Sequence, residues 1–194
     1  MSFKLLALAS ITCLAAVAVG CGDRVTQDRS SVMLVIDALE GASGAAATPT
    51  FTGTLQSDVE TRGGIFSDSG RVTMRIIAKD VTDTITPINA VTINRYLITY
   101  RRVDGRNTPG VDVPFPFDSA VTFTVPAGTT VVRSFELVRH NAKWETPLLG
   151  LVNNTVTLST IADITFFGRD QAGRELSATG SLGVQFGNFA DPTS

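Results

Sequence analysis

From residue 51 onward the apolar residues of this chain recur every second position, and that period limits what it can fold into. In VTINRYLITYRRVDG (91–105), Tyr96, Ile98 and Tyr100 fall on one face, while Arg95, Leu97, Thr99 and Arg101 fall on the other. AVTFTVPAG (120–128) sets Val121, Phe123 and Val125 against Thr122 and Thr124. TVVRSFELVR (130–139) aligns Val131, Phe135 and Leu137, with Arg133 interrupting. ELSATGSLGVQF (175–186) aligns Leu176, Ala178, Gly180, Leu182, Val184 and Phe186. Side chains that point alternately to the two sides of a half-buried strand produce this pattern, and a helix does not.

Turn residues separate the runs. SDSG (67–70) precedes RVTMRIIAK (71–79), PAGT (126–129) reads as a tight hairpin, and GRDQAGRE (168–175) joins ADITFF (162–167) to the last strand as a second hairpin. SVMLVIDAL (31–39) reads as a first strand, and the small residues of 40–50 read as a loop. One helical turn is expected in ETPLLGLVNN (145–154), where Pro147 suits a first helical position. The expected fold is therefore all-β, an antiparallel β-sandwich of about seven to nine strands in a single domain over residues 31–190. It loosely resembles immunoglobulin-like and fibronectin-type domains. It lacks an inter-sheet cysteine pair, and its tryptophan, Trp144, lies outside the mid-chain strand.

The first residues follow another logic. Lys4 is basic, and Leu5 to Val19 is apolar or small except at Ser10, Thr12 and Cys13. That run is shorter than the roughly twenty residues a bilayer-spanning helix needs, so it reads as a secretory signal. Ala18-Val19-Gly20-Cys21 resembles the lipobox of bacterial lipoproteins, although the family most often has leucine where Ala18 stands. The resemblance implies a signal peptide over 1–20, cleavage before Cys21, a lipid on the Cys21 thiol and a tether over 21–30. Gly22 rather than aspartate after the cysteine implies the outer membrane more than the inner.

Cysteine and charge narrow the chemistry. Of the two cysteines, Cys13 belongs to the signal, so the exported chain keeps Cys21 alone and no disulfide. One cysteine and one histidine, His140, leave no basis for a thiolate zinc site or a multi-histidine metal site. With 16 basic and 18 acidic residues there is no basic excess to follow a phosphate backbone, so no nucleic-acid partner is expected. No cofactor is expected.

Candidate residues for chemistry are few. His140, in LVRHNAKWE, has no G-x-S-x-G elbow to serve and reads as a loop histidine. Glu136, Glu145, Asp163 and Glu175 are the scattered acids a glycosidase would have to pair, and they read as charges on solvated strand faces. Asp104, Asn107, Asp112 and Asp118, in VDGRNTPGVDVPFPFD (103–118), offer oxygens to calcium at no EF-hand spacing, and turn formation accounts for them. Arg95, Arg101, Arg102 and Arg106 either meet an anionic polysaccharide or lipid headgroup, or pair with acids on neighbouring strands. Phe115 and Phe117, held between prolines, are the candidate ligand or partner loop; the alternative is that both rings plug the end of the sandwich.

The expectation is a lipid-anchored, non-catalytic binding or structural module of the cell envelope. Its partners would be the membrane, through Cys21, and an envelope protein or polysaccharide. The alternatives are an envelope hydrolase of glycan or ester bonds, and an accessory subunit that pairs an exposed edge strand with a larger protein.

Overall fold

The computed structural model describes residues 30–46 and 48–189. The signal peptide, Cys21 and the tether as far as residue 29 lie outside the described residues. Within them the chain forms β1 (Val32–Ala42), β2 (Thr54–Asp58), β3 (Asp68–Ala78), β4 (Val91–Arg101), β5 (Phe117–Val125), β6 (Val131–Val138), β7 (Leu158–Asp170) and β8 (Glu175–Gly187). Short 3-10 helices fill Pro87–Asn89, His140–Trp144 and Leu148–Leu151. Among the described residues no helix is long and apolar enough to cross a membrane.

The strands build two packed sheets, ordered β1-β3-β6 and β2-β8-β7-β4-β5. All neighbours are antiparallel except β2 and β8. This is an all-β sandwich, with β3 at the centre of the three-stranded sheet and β7 at the centre of the five-stranded one. The alternation read from sequence holds on β8 and on the second half of β4. Tyr96, Ile98 and Tyr100 all point inward.

Where parity breaks, a bulge causes it. Val91 and Ile93 are buried like Tyr96 although their parity is opposite, because Asn94 is left out of the ladder with β7. Leu137 and Val138 are adjacent and both buried, because the register on β3 slips between Asp68 and Ser69 and leaves Leu137 unpaired. On β1 the slip leaves out Asp37, which turns outward to meet Arg75 at 2.8 Å.

Several elements differ from the sequence reading. PAGT does not close a hairpin: β5 pairs only with β4, and β6 only with β3, so this turn carries the chain from one sheet to the other. Arg133 then lies on β6 with its guanidinium 6.0 Å above the Phe123 ring of β5, which bridges the gap between the sheets' edges. Asp68, Ser69 and Gly70, read as a turn, are the start of β3. Gly70 is required there, since a Cβ would overlap the Phe135 ring, and that ring is wedged 5.3 Å from both Tyr96 and Phe166. The strand of 31–39 runs on through Ala42. β2 was not anticipated. Pro147 precedes the Leu148–Leu151 helix rather than opening it, and follows a cis peptide bond.

Two tyrosines tie the sheets together. The Tyr96 hydroxyl donates to the Glu136 carbonyl at 3.1 Å, and the Tyr100 hydroxyl donates to the Leu137 carbonyl at 2.7 Å. Both donors sit on β4 and both acceptors on β6, in the opposite sheet. The second acceptor belongs to the bulge residue, so a carbonyl without a ladder partner on that strand is satisfied across the core. Burial pushes the Tyr100 hydroxyl far above its ordinary value, so it remains a donor.

The end of the sandwich at which β3 begins holds a second tie. Asp68 and Lys143 form an ion pair at 2.9 Å, with side chains 0% and 1% exposed. The Asp68 carboxylate also accepts from Ser57 Oγ at 2.6 Å and from the Gly44 backbone N–H at 3.0 Å. Lys143 also donates to the Asp58 carbonyl at 2.7 Å. Burial pushes the Asp68 carboxyl up, and the Lys143 ammonium and the hydrogen bonds from Ser57 and Gly44 oppose that rise. Four segments, 43–44, β2, the start of β3 and the His140–Trp144 helix, meet on these two charges.

Removing one partner of a buried pair strands the other charge, at a cost of about 3–5 kcal/mol. Lys143→Met is therefore expected to lose about that much in urea unfolding, and the Lys143→Met/Asp68→Leu double variant to recover part of it. Tyr100→Phe leaves the Leu137 carbonyl without its donor, and the same measurement should show a loss of about 1–3 kcal/mol.

Candidate functional site

The two ends of the sandwich differ. At one end, the turns 126–130 and 171–174 and the segment 79–90 surround the start of the described chain. Ser31 is held there by the Lys79 N–H on its carbonyl and by Asn89 Nδ2, 3.0 Å from its hydroxyl. At the other end, where Ala42 pairs with Ser69 and Asp58 with Gly187, the connections 59–67, 102–116 and 139–157 gather. Ordered loops of that length are uncommon and often functional. Exposed Phe66, Val103, Val111, Phe115, Trp144 and Leu149 all lie on them.

The 102–116 loop is knitted from within. The Thr108 carbonyl accepts the N–H groups of Val111, Asp112 and Val113, and the Gly110 N–H reaches the Val113 carbonyl at 2.8 Å. Asn107 accepts the Arg102 N–H at 2.6 Å, and Asp112 accepts the Thr108 N–H at 3.2 Å. Gly105 and Gly110 take positive φ, the conformation glycine tolerates best. Gly110 also needs its missing side chain, because the Phe115 ring lies on its Cα. The loop is joined to the next one by Thr146, whose hydroxyl donates to the Gly110 carbonyl at 2.6 Å.

The 139–157 connection is pinned from below. Ala142, Lys143, Leu148 and Leu151 are buried, which leaves Trp144 56% exposed beside His140, their rings 6.4 Å apart and edge-on. An open groove of about 490 Å³ lies between the two loops, with Arg102, Asp104, Arg106, Val111, Leu151 and Val156 among its lining.

The two rings of the proline-flanked motif part company. Phe117, the first residue of β5, is 7% exposed and sits edge-on to Tyr96 with Arg139 stacked 4.7 Å above it. It belongs to the core and plugs the end of the sandwich. Phe115 is 45% exposed and has ring surface to offer.

The other candidates are occupied locally. Asp104 binds both Arg102 and Arg106. Arg95 meets Asp118 at 3.5 Å and stacks 4.1 Å over Phe167, and Arg101 meets Asp163 at 2.7 Å. Arg95 and Arg101 therefore pair with acids on neighbouring strands, the second of the two readings drawn from sequence, whereas Arg102 and Arg106 share an acid of their own loop. Burial raises the Asp163 carboxyl, but the hydrogen bonds from Arg101 and Ser181 outweigh it and hold the group below its ordinary value. Glu175 pairs with Arg169 at 2.6 Å, while Glu136 and Glu145 are exposed. The His140 ring meets the Asn141 side-chain oxygen at 3.3 Å rather than a serine or a carboxylate. Among the described residues no cluster of three or more histidines, cysteines or acids is placed to hold a metal ion. This end thus offers half-exposed rings and aliphatic surface on a rigid base, an arrangement suited to recognition.

Sequence reasoning missed Trp144, Arg139, Lys143 and Ser57 as contributors to this end. The signal for Trp144 was its position beside His140 in a connection too polar to bury it. Lys143 left none, because its partner lies on a distant strand.

The loop also makes a titration testable. Hydrogen bonds from Arg102, then those from Arg106, hold the Asp104 carboxyl down to about 2. Its folded value is thus below the ordinary 3.8, so its contribution to loop order is complete above that value and fades as pH falls towards about 2. In Arg102→Gln the Asp104 titration, followed by carboxyl NMR, is expected to move back up towards 3.8. No protein-family model matches this chain, and no curated protein resembles it at a significant level.

Proposed function

We propose that this chain is a lipid-anchored binding module of the bacterial cell envelope, held in the membrane through Cys21 and recognising its partner with the loops at the far end of the sandwich. The observation that carries the reading is the polarity of the domain. Ser30 lies at the end where the turns 126–130 and 171–174 and the segment 79–90 meet, while the loops with exposed aromatic rings lie at the other end of the strands. A tether attached at residue 21 joins the domain at the first end. The loops then point away from the bilayer, where an envelope protein or a polysaccharide is reachable.

The anchor follows from the lipobox-like Ala18-Val19-Gly20-Cys21. Each buried methylene contributes about 0.8 kcal/mol, so two or more acyl chains on Cys21 hold the protein firmly where one does not. Gly22 favours the outer membrane. The paired charges around Asp104 and Asp163 favour recognition over proton transfer, which is why we prefer a non-catalytic module to a hydrolase.

Metabolic labelling with a fatty-acid analogue in a bacterial host tests the anchor. Incorporation is expected in the full chain, together with partition into the detergent phase. Cys21→Ser should abolish both. Labelling that persists in Cys21→Ser, or none in the parent chain, overturns the proposal.

A further inference from the structure

One strand edge of this sandwich lacks the devices that keep edges from pairing. β8 runs from Glu175 to Gly187, but β2 covers only the stretch from Gly183 to Gly187. Among the described residues no strand pairs with that side of β8 before Gly183. On the covered stretch the Val59 N–H donates to the Gly187 carbonyl at 3.0 Å, so the backbone groups of Gly187 face the side on which β2 lies. Direction alternates along a strand, and the β7–β8 ladder runs without a register shift from Leu158 opposite Phe186 to Arg169 opposite Glu175. The N–H and carbonyl groups of Ser177, Thr179 and Ser181 therefore point to the same side, into the space beyond the end of β2.

Proteins shield strand edges with charge, proline, bulges or shortness. The other edges here have such shields. β1 carries the Asp37 bulge and Glu40, and β6 carries the exposed Arg133 and Glu136. β5 carries Asp118 and a break in its register on β4, and β2 is only 5 residues long. From Leu176 to Leu182, β8 has no charge, no proline and no bulge. An open groove of about 450 Å³ lies beside it, lined by residues 34–39 of β1 and 178–181 of β8. Ile36 and Leu39, both half-buried, are its apolar part, and a Cβ on Gly180 would stand 2.5 Å from Leu39 Cδ1. A strand added here would lay its inward side chains beside those two residues and its outward ones in line with Ser177, Thr179 and Ser181.

We infer that the open half of β8 takes in an extended segment of another protein, which continues the line of β2. A row of outward N–H and carbonyl groups at strand spacing is matched by another extended backbone. The neutral edge and the apolar groove suit a segment that alternates apolar with small polar residues and carries no charge. A second copy fits less well. Two copies that keep their inner faces on one side pair this edge only antiparallel, about an axis at Thr179, and their Ser30 ends then lie at opposite ends of the pair. Chains anchored through Cys21 in one membrane do not meet in that way. The choice of another protein over a second copy rests on the proposed anchor; the addition of a strand does not.

A synthetic peptide of three Thr-Val repeats with Gly-Lys ends would be added to the full chain in detergent, with amide hydrogen exchange followed residue by residue. In the free chain the Ser177, Thr179 and Ser181 amides should exchange fast, and those of Ala178 and Gly180, bonded to β7, slowly. The peptide should slow the three outward amides by about tenfold or more, and the same peptide methylated on every repeat nitrogen should not. Thr179→Pro removes an outward donor and leaves the ladder with β7 intact, as proline at an edge allows. It should weaken the peptide response by about tenfold while keeping the thermal midpoint. If that variant fails to fold, Ser177→Pro takes its place. Outward amides already protected in the free chain, no slowing with the peptide, equal slowing with the methylated peptide, or an unaltered response in a folded proline variant overturns the inference. Protection in the free chain that fades on dilution assigns the edge to a second copy and overturns the choice of partner. The Cys21 labelling does not depend on this edge, so the anchored module can stand when the strand addition falls.

Discussion

Two charges that never meet water hold the loop-bearing end together. The Asp68–Lys143 pair joins segments that no sheet ladder connects: the stretch after β1, β2, the first residue of β3 and the helix after β6. A buried pair of this kind contributes little net stability compared with apolar residues of the same size. Its effect is on specificity, because each charge must find every one of its partners or remain stranded. The connection that carries Trp144 is therefore fixed by the requirement to satisfy Lys143. With the tyrosine bonds from β4 to β6, this arrangement sets how the two sheets lie over each other before any loop is considered.

A rigid base of this kind lets half-exposed rings persist. Phe115 rests on a glycine that has no side chain to push it away, and Trp144 projects from a turn whose neighbours Ala142 and Lys143 are buried. A partner of the kind proposed would not have to order either ring, so binding there would cost less conformational entropy than on a mobile loop. The opposite end carries the two short turns 126–130 and 171–174 and the longer segment 79–90, which holds Ser31.

The sandwich could be read from residues because period two records burial directly, and Tyr96, Ile98 and Tyr100 show how well it does so where the ladder is regular. Bulges interrupt that record. Asn94 shifts Val91 and Ile93 to the inside against their parity, and no local residue type announces it. β2 is short, and its parallel partner lies at the far end of the sequence, so nothing near it signals a strand. The turn after β5 has the residues of a hairpin, and only the pairing of each strand with a different sheet shows that it is a crossing. In the proline-flanked motif, Phe115 and Phe117 are two residues apart, yet Gly110 draws one ring onto the loop while β5 takes the other into the core. Asp68 and Lys143 were invisible for a related reason: a buried charge makes sense only once its partner, from another part of the chain, is beside it.

The antiparallel ladder of β1 on β3 has a mechanical consequence. Its ten paired positions run from Val32 to Ala42, parallel to the line between the chain's entry and the loops. A load between a fixed membrane and a held ligand would act along that line. Hydrogen bonds perpendicular to a pull share it and must give way together, whereas bonds in line with it would open one at a time. If the chain is anchored as proposed, the ten-residue ladder of β1 on β3 would be loaded in shear and its hydrogen bonds would have to give way together.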